Sequence, residues 1–188
     1  MSDDRETRAP ATGLYPTPVT LVTCVDGMGK PNIVTLAWAG VVCSEPPQLG
    51  IAVRPSRHSH QLLRRTGEFV VNIPSQDLLR AADVCGTVSG RDHDKFALAG
   101  LTPLPATKVA APLIAECPVN LECVLRHVLA LGSHDLFIGE VVAYHVRKDI
   151  IGDLGRPDFG KARPFTYIHG EYWGLGELLG RHGLSRPK

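Results

Sequence analysis

The chain has 188 residues, of which 44% are hydrophobic and 21% are charged, and its formal net charge is +1. This composition is typical of a globular protein with one domain and a substantial core, and it argues against a disordered chain. Because the net charge is close to zero, the chain lacks the overall field that would attract nucleic acid or an anionic membrane. Any site for an anion must therefore be local.

The N-terminal segment does not resemble a targeting signal. Residues 1–13 are polar and include acids, and no apolar run approaches the roughly 18 residues of a membrane span. We therefore expect a flexible lead-in over residues 1–13, one domain over residues 14–188, no membrane partner and a cytoplasmic location. The five cysteines are odd in number and show no CxxC spacing, so we expect buried thiols rather than a disulfide framework or a metal site.

Short strands dominate the chain, with few helices between them. A turn, DGMGK, separates the first two predicted strands, and Gly67 is the expected stop of the first helix. In the second strand, alternation would place Asn32 and Trp38 on one face and Thr35 on the other. The strands are predicted, in chain order, over residues 18–25, 31–43, 48–53, 69–73, 119–131 and 136–147, and the helices over residues 59–66, 76–85 and 95–99. This order predicts a β-rich α+β fold, a barrel with appended helices, rather than a doubly wound sheet.

The most unusual local feature is the basic stretch RPSRHSH, residues 54–60. Four arginines and two histidines lie between Pro46 and Gly67 without any acid among them. The stretch lies between a strand and a helix, where free backbone N–H groups and the positive end of the helix dipole favour an anion. Two interpretations are open: a phosphate cradle formed by the arginine side chains and nearby hydroxyls, or a solvated loop whose arginines pair with surface acids.

Three other segments could carry chemistry. The segment NIVTLAW, residues 32–38, could border a flat heterocycle through its backbone, although a core strand with its tryptophan in the hydrophobic layer is the favoured interpretation. The loop CGTVSGRDHDKF, residues 85–96, could close over a ligand or could be a solvated connection. His134 lies in the predicted hairpin turn GSHD, where most histidines are simply exposed. The chain lacks GxGxxG, GxxxxGK[ST], GxSxG and HExxH, so Rossmann, Walker, hydrolase-elbow and zincin mechanisms have no local support.

Taken in order, several segments resemble the flavin reductase-like, FMN-binding split-barrel family, the group that includes flavoredoxin. They are YPTPVTLVTCVD, NIVTLAW, SEPPQLGIAVRPSRHS, GEFVVNIP, CGTVSGRDHDKF, ECPVNLEC, HDLFIGEV and GEYW, and they extend over residues 15–180. The resemblance implies a six-stranded antiparallel Greek-key split barrel with short peripheral helices. It also implies a homodimer with one FMN per subunit near the dimer interface.

The resemblance assigns roles to individual residues. It implies that RPSRHS contacts the phosphate and ribityl chain, that NIVTLAW borders the isoalloxazine, and that SGRDHDK forms a second phosphate-side segment. It places a histidine near the reactive flavin face and a C-terminal tyrosine beside the flavin. The implied cofactor-binding residues are Asn32, Thr35, Ala37, Trp38, Arg54, Ser56, Arg57, His58, Ser59, Ser89, Gly90, Lys95 and Tyr172, and the candidate catalytic residue is His134.

The resemblance implies an FMN-binding oxidoreductase that passes electrons from NADH or NADPH to free flavin, iron or a protein partner, which could be an electron-transfer protein or a monooxygenase. Two alternatives stay open. One is a non-catalytic flavin-binding electron carrier, and the other is a heme-binding or FMN-storage protein on the same barrel.

Overall fold

The computed structural model describes residues 4–185, so the first three residues of the expected lead-in and the last three of the expected domain lie outside the described residues. The strands are β1 (Thr17–Pro18), β2 (Thr20–Val25), β3 (Pro31–Leu36), β4 (Ala39–Ser44), β5 (Pro47–Val53), β6 (Glu68–Ile73), β7 (Pro103–Leu104), β8 (Leu113–Ile114), β9 (Val119–Ala130), β10 (Asp135–Val146), β11 (Phe165–Ile168) and β12 (Glu171–Gly174). The α-helices are α1 (His58–Thr66), α2 (Leu79–Thr87), α3 (Lys95–Ala99) and α4 (Phe159–Ala162), and two short 3₁₀ helices cover Gln76–Leu78 and Lys148–Ile150.

The largest element is a seven-stranded antiparallel sheet in the order β3-β2-β6-β9-β10-β5-β4. The prediction of a β-rich α+β fold is therefore confirmed, but the expected count of six strands is not. The two edge strands, β3 and β4, are consecutive in the chain and do not form a ladder with each other within the described residues. The sheet is thus curled but not closed.

The extra strand arises because the predicted strand over residues 31–43 is two strands. The chain bends at Ala37 and Trp38, where the Trp38 carbonyl accepts a hydrogen bond from the Ala52 backbone N–H at 2.9 Å. After the bend, β4 pairs with β5 instead of extending β3. The alternation of side chains between the two faces, expected over residues 31–43, therefore ends at Leu36. The direction of the Trp38 side chain is set by the bend and not by strand alternation.

The interior of the curled sheet is an apolar cluster covered at one end by α1. Leu62 and Leu63 of α1 pack with Val22, Phe69 and Phe137 from the strands. Close packing of the Phe69 ring requires a glycine opposite it, because a Cβ on Gly139 would lie 2.5 Å from the ring. Burial of this face fixes where α1 begins, directly after the basic stretch.

A second apolar cluster lies outside the sheet, where α2 and α3 cover β2 and β3. Leu21 and Ile33 point into this cluster and pack with Ala82, Cys85 and Phe96. Strand β2 is consequently buried on both faces along its length. The packing brings the C-terminal end of α2 and the following loop against β3, next to the bend at Trp38.

The C-terminal region forms structure that the sequence analysis did not assign. Strands β1, β11 and β12 make a small antiparallel sheet, and Phe165 packs into the same cluster as α2 and α3. Helix α2 also differs from its prediction: it begins at Leu79, after the 3₁₀ helix Gln76–Leu78, and continues through Gly86 to Thr87. Within residues 4–185, no helix has both the length and the hydrophobicity needed to cross a bilayer.

Glu122 anchors the loop before β8 to the outer face of the sheet. Its fully buried carboxylate accepts the backbone N–H groups of Thr107 at 2.8 Å, Lys108 at 2.6 Å and Val109 at 3.1 Å, and it contacts His145 Nε2 at 2.5 Å. Burial alone would raise the pKa of Glu122, but these hydrogen bonds lower it from 4.5 to about 2. The ionised carboxylate therefore stabilises the folded state.

We predict that Glu122→Gln lowers the free energy of unfolding by about 2–4 kcal/mol at pH 7, because an amide cannot accept all of these hydrogen bonds. In the parent protein, the contribution of Glu122 should be complete above pH 4.5 and should be lost as the pH falls toward about 2. Urea unfolding between pH 7 and pH 3 measures both effects. Glu116→Gln is the control, since Glu116 also accepts a backbone N–H, from Thr102 at 3.1 Å, but at a more exposed position. Equal losses in the two variants would contradict the prediction.

Candidate functional site

A cleft of about 360 Å³ opens where the two edges of the sheet separate. Its walls come from the bend after β3, the basic stretch, the end of α2, the tip of the β9–β10 hairpin and the β11–β12 hairpin. The volume lies in the range of small-molecule sites. Seven of the predicted site residues line this cleft: Thr35, Ala37, Trp38, Arg54, Arg57, His134 and Tyr172.

One end of the cleft is basic. We call Arg54, Arg57 and the start of α1 the basic end. Among residues 4–185, neither guanidinium group has an ion-pair or hydrogen-bond partner, and the first turn of α1 contains no acid. A turn holds the two arginines together, since the Arg57 backbone N–H donates to the Arg54 carbonyl at 3.0 Å. Unpaired guanidinium groups beside a helix N-terminus are suited to an anionic group of a ligand.

A buried cation adds to this basic character. Lys95 is almost fully buried, and its Nζ donates to the Cys85 carbonyl at 2.7 Å. No carboxylate within the described chain pairs with it. Burial lowers the pKa of Lys95, and the positive charge of Arg57 lowers it further. Buried lysines are rarely left without an acidic partner, so an external anion is the expected source of compensation.

The remaining predicted residues lie behind the basic end and do not line the cleft. Asn32 is buried and donates to Ser59 Oγ at 2.7 Å, which joins β3 to the first turn of α1. Asn32, His58 and Gly90 border a separate cavity of about 270 Å³, and a Cβ on Gly90 would clash with the Asn32 side chain. Ser56 is exposed, whereas Ser89 Oγ accepts the Arg91 backbone N–H at 3.2 Å. Two buried atoms here, Asn32 Oδ1 and His58 Nδ1, lack a hydrogen-bond partner within the part of the chain that the structure describes.

A pair of tilted rings in van der Waals contact adjoins the basic end of the cleft. The rings of Trp38 and His134 lie 4.4 Å apart, tilted by 44°. Ser133 Oγ lies 2.9 Å from His134 Nδ1, which leaves Nε2 as the nitrogen without a side-chain partner. Partial burial and the positive charge of Arg54 lower the pKa of His134 from 6.5, so the imidazole is neutral at pH 7.

The far wall is formed by tyrosines that meet α2. Tyr172 donates its hydroxyl to Asp83 Oδ1 at 3.1 Å, and burial, followed by this hydrogen bond, raises the pKa of Tyr172 to about 12. Sequence reasoning missed four polar or aromatic residues of the cleft wall: Tyr15, Asp83, Thr87 and Tyr167. Tyr15 and Thr87 carried a signal, because they lie in segments that resemble the family.

Thr35 lines the cleft but its hydroxyl is already engaged. Thr35 Oγ1 donates to the Ala82 carbonyl of α2 at 2.5 Å. The side chain therefore joins β3 to α2, and only backbone groups of this segment remain available to a ligand.

We predict that Lys95→Met raises the unfolding free energy of the ligand-free protein by roughly 1 kcal/mol, which corresponds to about 2–4 °C in melting temperature. The reason is that the substitution removes an uncompensated buried charge while it keeps the aliphatic packing. Lys148→Met, at an exposed position, is the control and should change little. Thermal unfolding by circular dichroism measures the difference, and a strongly destabilised Lys95→Met protein would contradict the prediction.

The comparisons with known proteins agree with this architecture. A family model described as flavin reductase like domain matches residues 12–176. Flavoredoxin of Desulfovibrio vulgaris (Miyazaki F) is 36% identical, with a TM-score of 0.90 over 96% of this chain and 98% of that one. Flavoredoxin from Methanosarcina acetivorans is 29% identical, with a TM-score of 0.87 over 96% of this chain and 97% of that one.

An uncharacterized protein of Archaeoglobus fulgidus is 38% identical over 145 residues, which cover 77% of this chain and 80% of that protein. The family model covers most of the chain, and the flavoredoxin match extends over nearly all of both molecules. The chain belongs to the flavin reductase like domain family.

Proposed function

We propose that the protein is an FMN-binding oxidoreductase that takes electrons from NADH or NADPH and passes them to free flavin, iron or a protein partner. The observation that carries the proposal is the basic end, where Arg54 and Arg57 have no internal partner among residues 4–185. Family membership supports a flavin-related redox function, and FMN is a flavin with a terminal dianionic group that matches these arginines.

The residues present fit the phosphate end of FMN. Arg54 and Arg57 would each offer a planar pair of N–H donors, and Lys95 would supply a charge from behind the loop. The start of α1 adds free backbone N–H groups. Asn32 and Ser59 would hold the loop in place rather than contact the ligand, since their side chains are buried against each other.

The middle of the cleft fits a flat ring system. Because the Thr35 hydroxyl is bonded to α2, the segment from Thr35 to Trp38 would recognise the ring through its backbone groups. When bound, FMN supplies a tricyclic ring that accepts a hydride and passes electrons on. Tyr172, fixed by Asp83, would close the cleft on the other side and exclude water.

We assign His134 the role of candidate catalytic residue. Its Nδ1 faces Ser133, so Nε2 is the nitrogen that could hold a proton donated to or taken from a reacting group. The lowered pKa keeps the imidazole neutral, and a neutral ring can act as a donor without adding positive charge to the cleft. The contact with Trp38 fixes the orientation of the ring.

A non-catalytic electron carrier is the second candidate function. The similarity to two flavoredoxins over nearly the whole chain favours it. The two candidates share the FMN site and differ in whether a reduced nicotinamide reacts in the cleft.

We predict that Arg54→Ala/Arg57→Ala weakens FMN binding by at least about 100-fold, because two charge-assisted contacts worth about 1.5–3 kcal/mol each are lost. Riboflavin, which lacks the phosphate, should bind almost as it does to the parent protein. Flavin fluorescence titration measures both affinities. Arg126→Ala/Arg147→Ala removes the same charge outside the cleft, where each arginine pairs with a surface acid, and should leave both affinities unchanged. Equal weakening of FMN and riboflavin would overturn the assignment.

The same preparations separate enzyme from carrier. The parent protein with FMN should oxidise NADH or NADPH in steady state with free flavin as acceptor, and the double-arginine variant should lose this activity at limiting FMN. FMN binding without nicotinamide oxidation would favour the carrier. A protein that binds no FMN would reject both functions.

We also propose that the protein is a homodimer. Strand β4 is a sheet edge, and it exposes Val41 by 77% and Val42 by 50% beside the half-exposed Tyr144 of β10. An apolar groove of about 230 Å³ is lined by Val41 and Tyr144. Exposed apolar strand edges of this kind are normally covered. A second copy of the chain would cover the edge of β4 and the apolar groove in one interface.

We predict that Val41→Glu converts the dimer to a monomer of 20.3 kDa, because a carboxylate would be buried without a partner in the interface. Sedimentation velocity at micromolar concentration gives the mass. Met28→Glu changes a side chain that is 92% exposed on the β2–β3 turn, away from this edge, and should leave the dimer intact. A monomeric parent protein would contradict the proposal.

A further inference from the structure

Three side chains beneath the cleft form a buried charged group that the proposed function does not use. Asp135 Oδ2 accepts hydrogen bonds from His60 Nε2 at 2.8 Å and from Arg64 Nη2 at 3.0 Å. His60 and Asp135 are both buried, whereas Arg64 is about half exposed. The ring of His60 also meets the edge of Phe137 at 5.2 Å. We call Asp135, His60 and Arg64 the Asp135 cluster.

The Asp135 cluster joins α1, whose start belongs to the basic end, to β10, which directly follows His134. His60 and Arg64 lie one turn apart on α1, just after the basic end. Asp135 is the first residue of β10 and directly follows His134. In the sheet, Asp135 pairs with Val53, the residue before Arg54. Asp135 is therefore adjacent to His134 in the chain. Across the ladder, it pairs with the residue that precedes Arg54.

Helix α1 packs mainly on β2 and β3, and its apolar contact with β10 is made through Phe137, two residues beyond Asp135. Residues 131–133 of the hairpin tip are exposed, and the turn is closed by a single backbone hydrogen bond from Leu131 to His134 at 3.1 Å. Among the described residues, the side-chain hydrogen bonds that join the hairpin to α1 are those of the Asp135 cluster, while the β5–β10 ladder separately holds the hairpin beside Arg54.

We propose that Asp135, held by His60 and Arg64, is a positioning residue that fixes the start of α1, and with it Arg57, relative to the Trp38–His134 ring pair. A ligand with a phosphate at one end and a ring at the other then meets both sets of contacts at the same time. This inference rests on the proposed function for the identity of that ligand. The arrangement of the two protein surfaces does not depend on the ligand and can be tested without it.

The first experiment uses the ligand-free full-length protein and one fluorophore. In a Trp173→Phe background, the remaining indole is Trp38, which contacts the ring of His134. Asp135→Asn should increase acrylamide quenching of Trp38 and move its emission to longer wavelength, because the hairpin tip is released. Arg64→Met removes one of the two donors from a half-exposed position and should give a smaller change in the same direction. Unchanged Trp38 emission in a folded Asp135→Asn protein would overturn the proposal.

The second experiment compares ligands at a temperature where every variant is folded. Asp135→Asn should weaken FMN binding about tenfold, because the FMN phosphate would lose one charge-assisted contact with the basic end. Riboflavin affinity should change far less. The midpoint potential of bound FMN should also shift, which a loss of stability alone would not cause. Glu140→Gln is the control, because Glu140 is also on β10 and its ion pair with Arg126 is exposed. This variant should leave the FMN affinity, the riboflavin affinity and the midpoint potential unchanged.

The two experiments separate the possible failures. If the parent protein binds no FMN, the proposed function is wrong, and Trp38 emission still decides whether the Asp135 cluster fixes the start of α1 relative to the Trp38–His134 ring pair. If Trp38 responds but the ratio of FMN to riboflavin affinity and the potential stay fixed, the Asp135 cluster serves stability alone and the proposal is overturned.

Discussion

Positive charge without an internal partner is the constraint on which this site depends. Among the described residues, Arg54 and Arg57 face the cleft without an acid near enough to pair with them, and Lys95 is buried behind them with a carbonyl as its partner. The buried charge of Lys95 costs the ligand-free protein stability, because a desolvated charge needs compensation, whereas Arg54 and Arg57 are exposed. A dianionic ligand would provide that compensation, and binding and local stability would then be coupled at this end of the molecule.

The fold explains why the charges collect at this position. The curled sheet buries one face around Phe69 and Phe137, and α1 covers the end of that core with Leu62 and Leu63. Since α1 must begin there, the stretch before it is held at the rim beside the unpaired edges of β3 and β4. The outer cluster then brings α2 and the tyrosine-bearing hairpin against the same rim. Two independent apolar cores therefore meet at the cleft, one from each side.

The sequence was sufficient for the features that are local in the chain. Alternating apolar residues indicated β9 and β10, Gly67 indicated the end of α1, and the density of arginine in residues 54–57 indicated the basic end. The bend at Trp38 was not visible, because it results from a backbone contact with Ala52 on another strand. The far wall was missed for a related reason: Asp83 and Tyr172 meet only after the C-terminal sheet packs on α2, and nothing near either residue in the chain signals the other.

The engaged hydroxyl of Thr35 has a consequence for how this site could change during evolution or design. In the proposed site, recognition of the flavin ring by backbone N–H and C=O groups would depend on the path of the chain and would tolerate many side chains at positions 36 and 37. A proline at either position would remove a donor and would be far more disruptive than a change of polarity. Side-chain diversity in this strand can therefore adjust reactivity while affinity is maintained by the arginines, so the two properties can be varied separately.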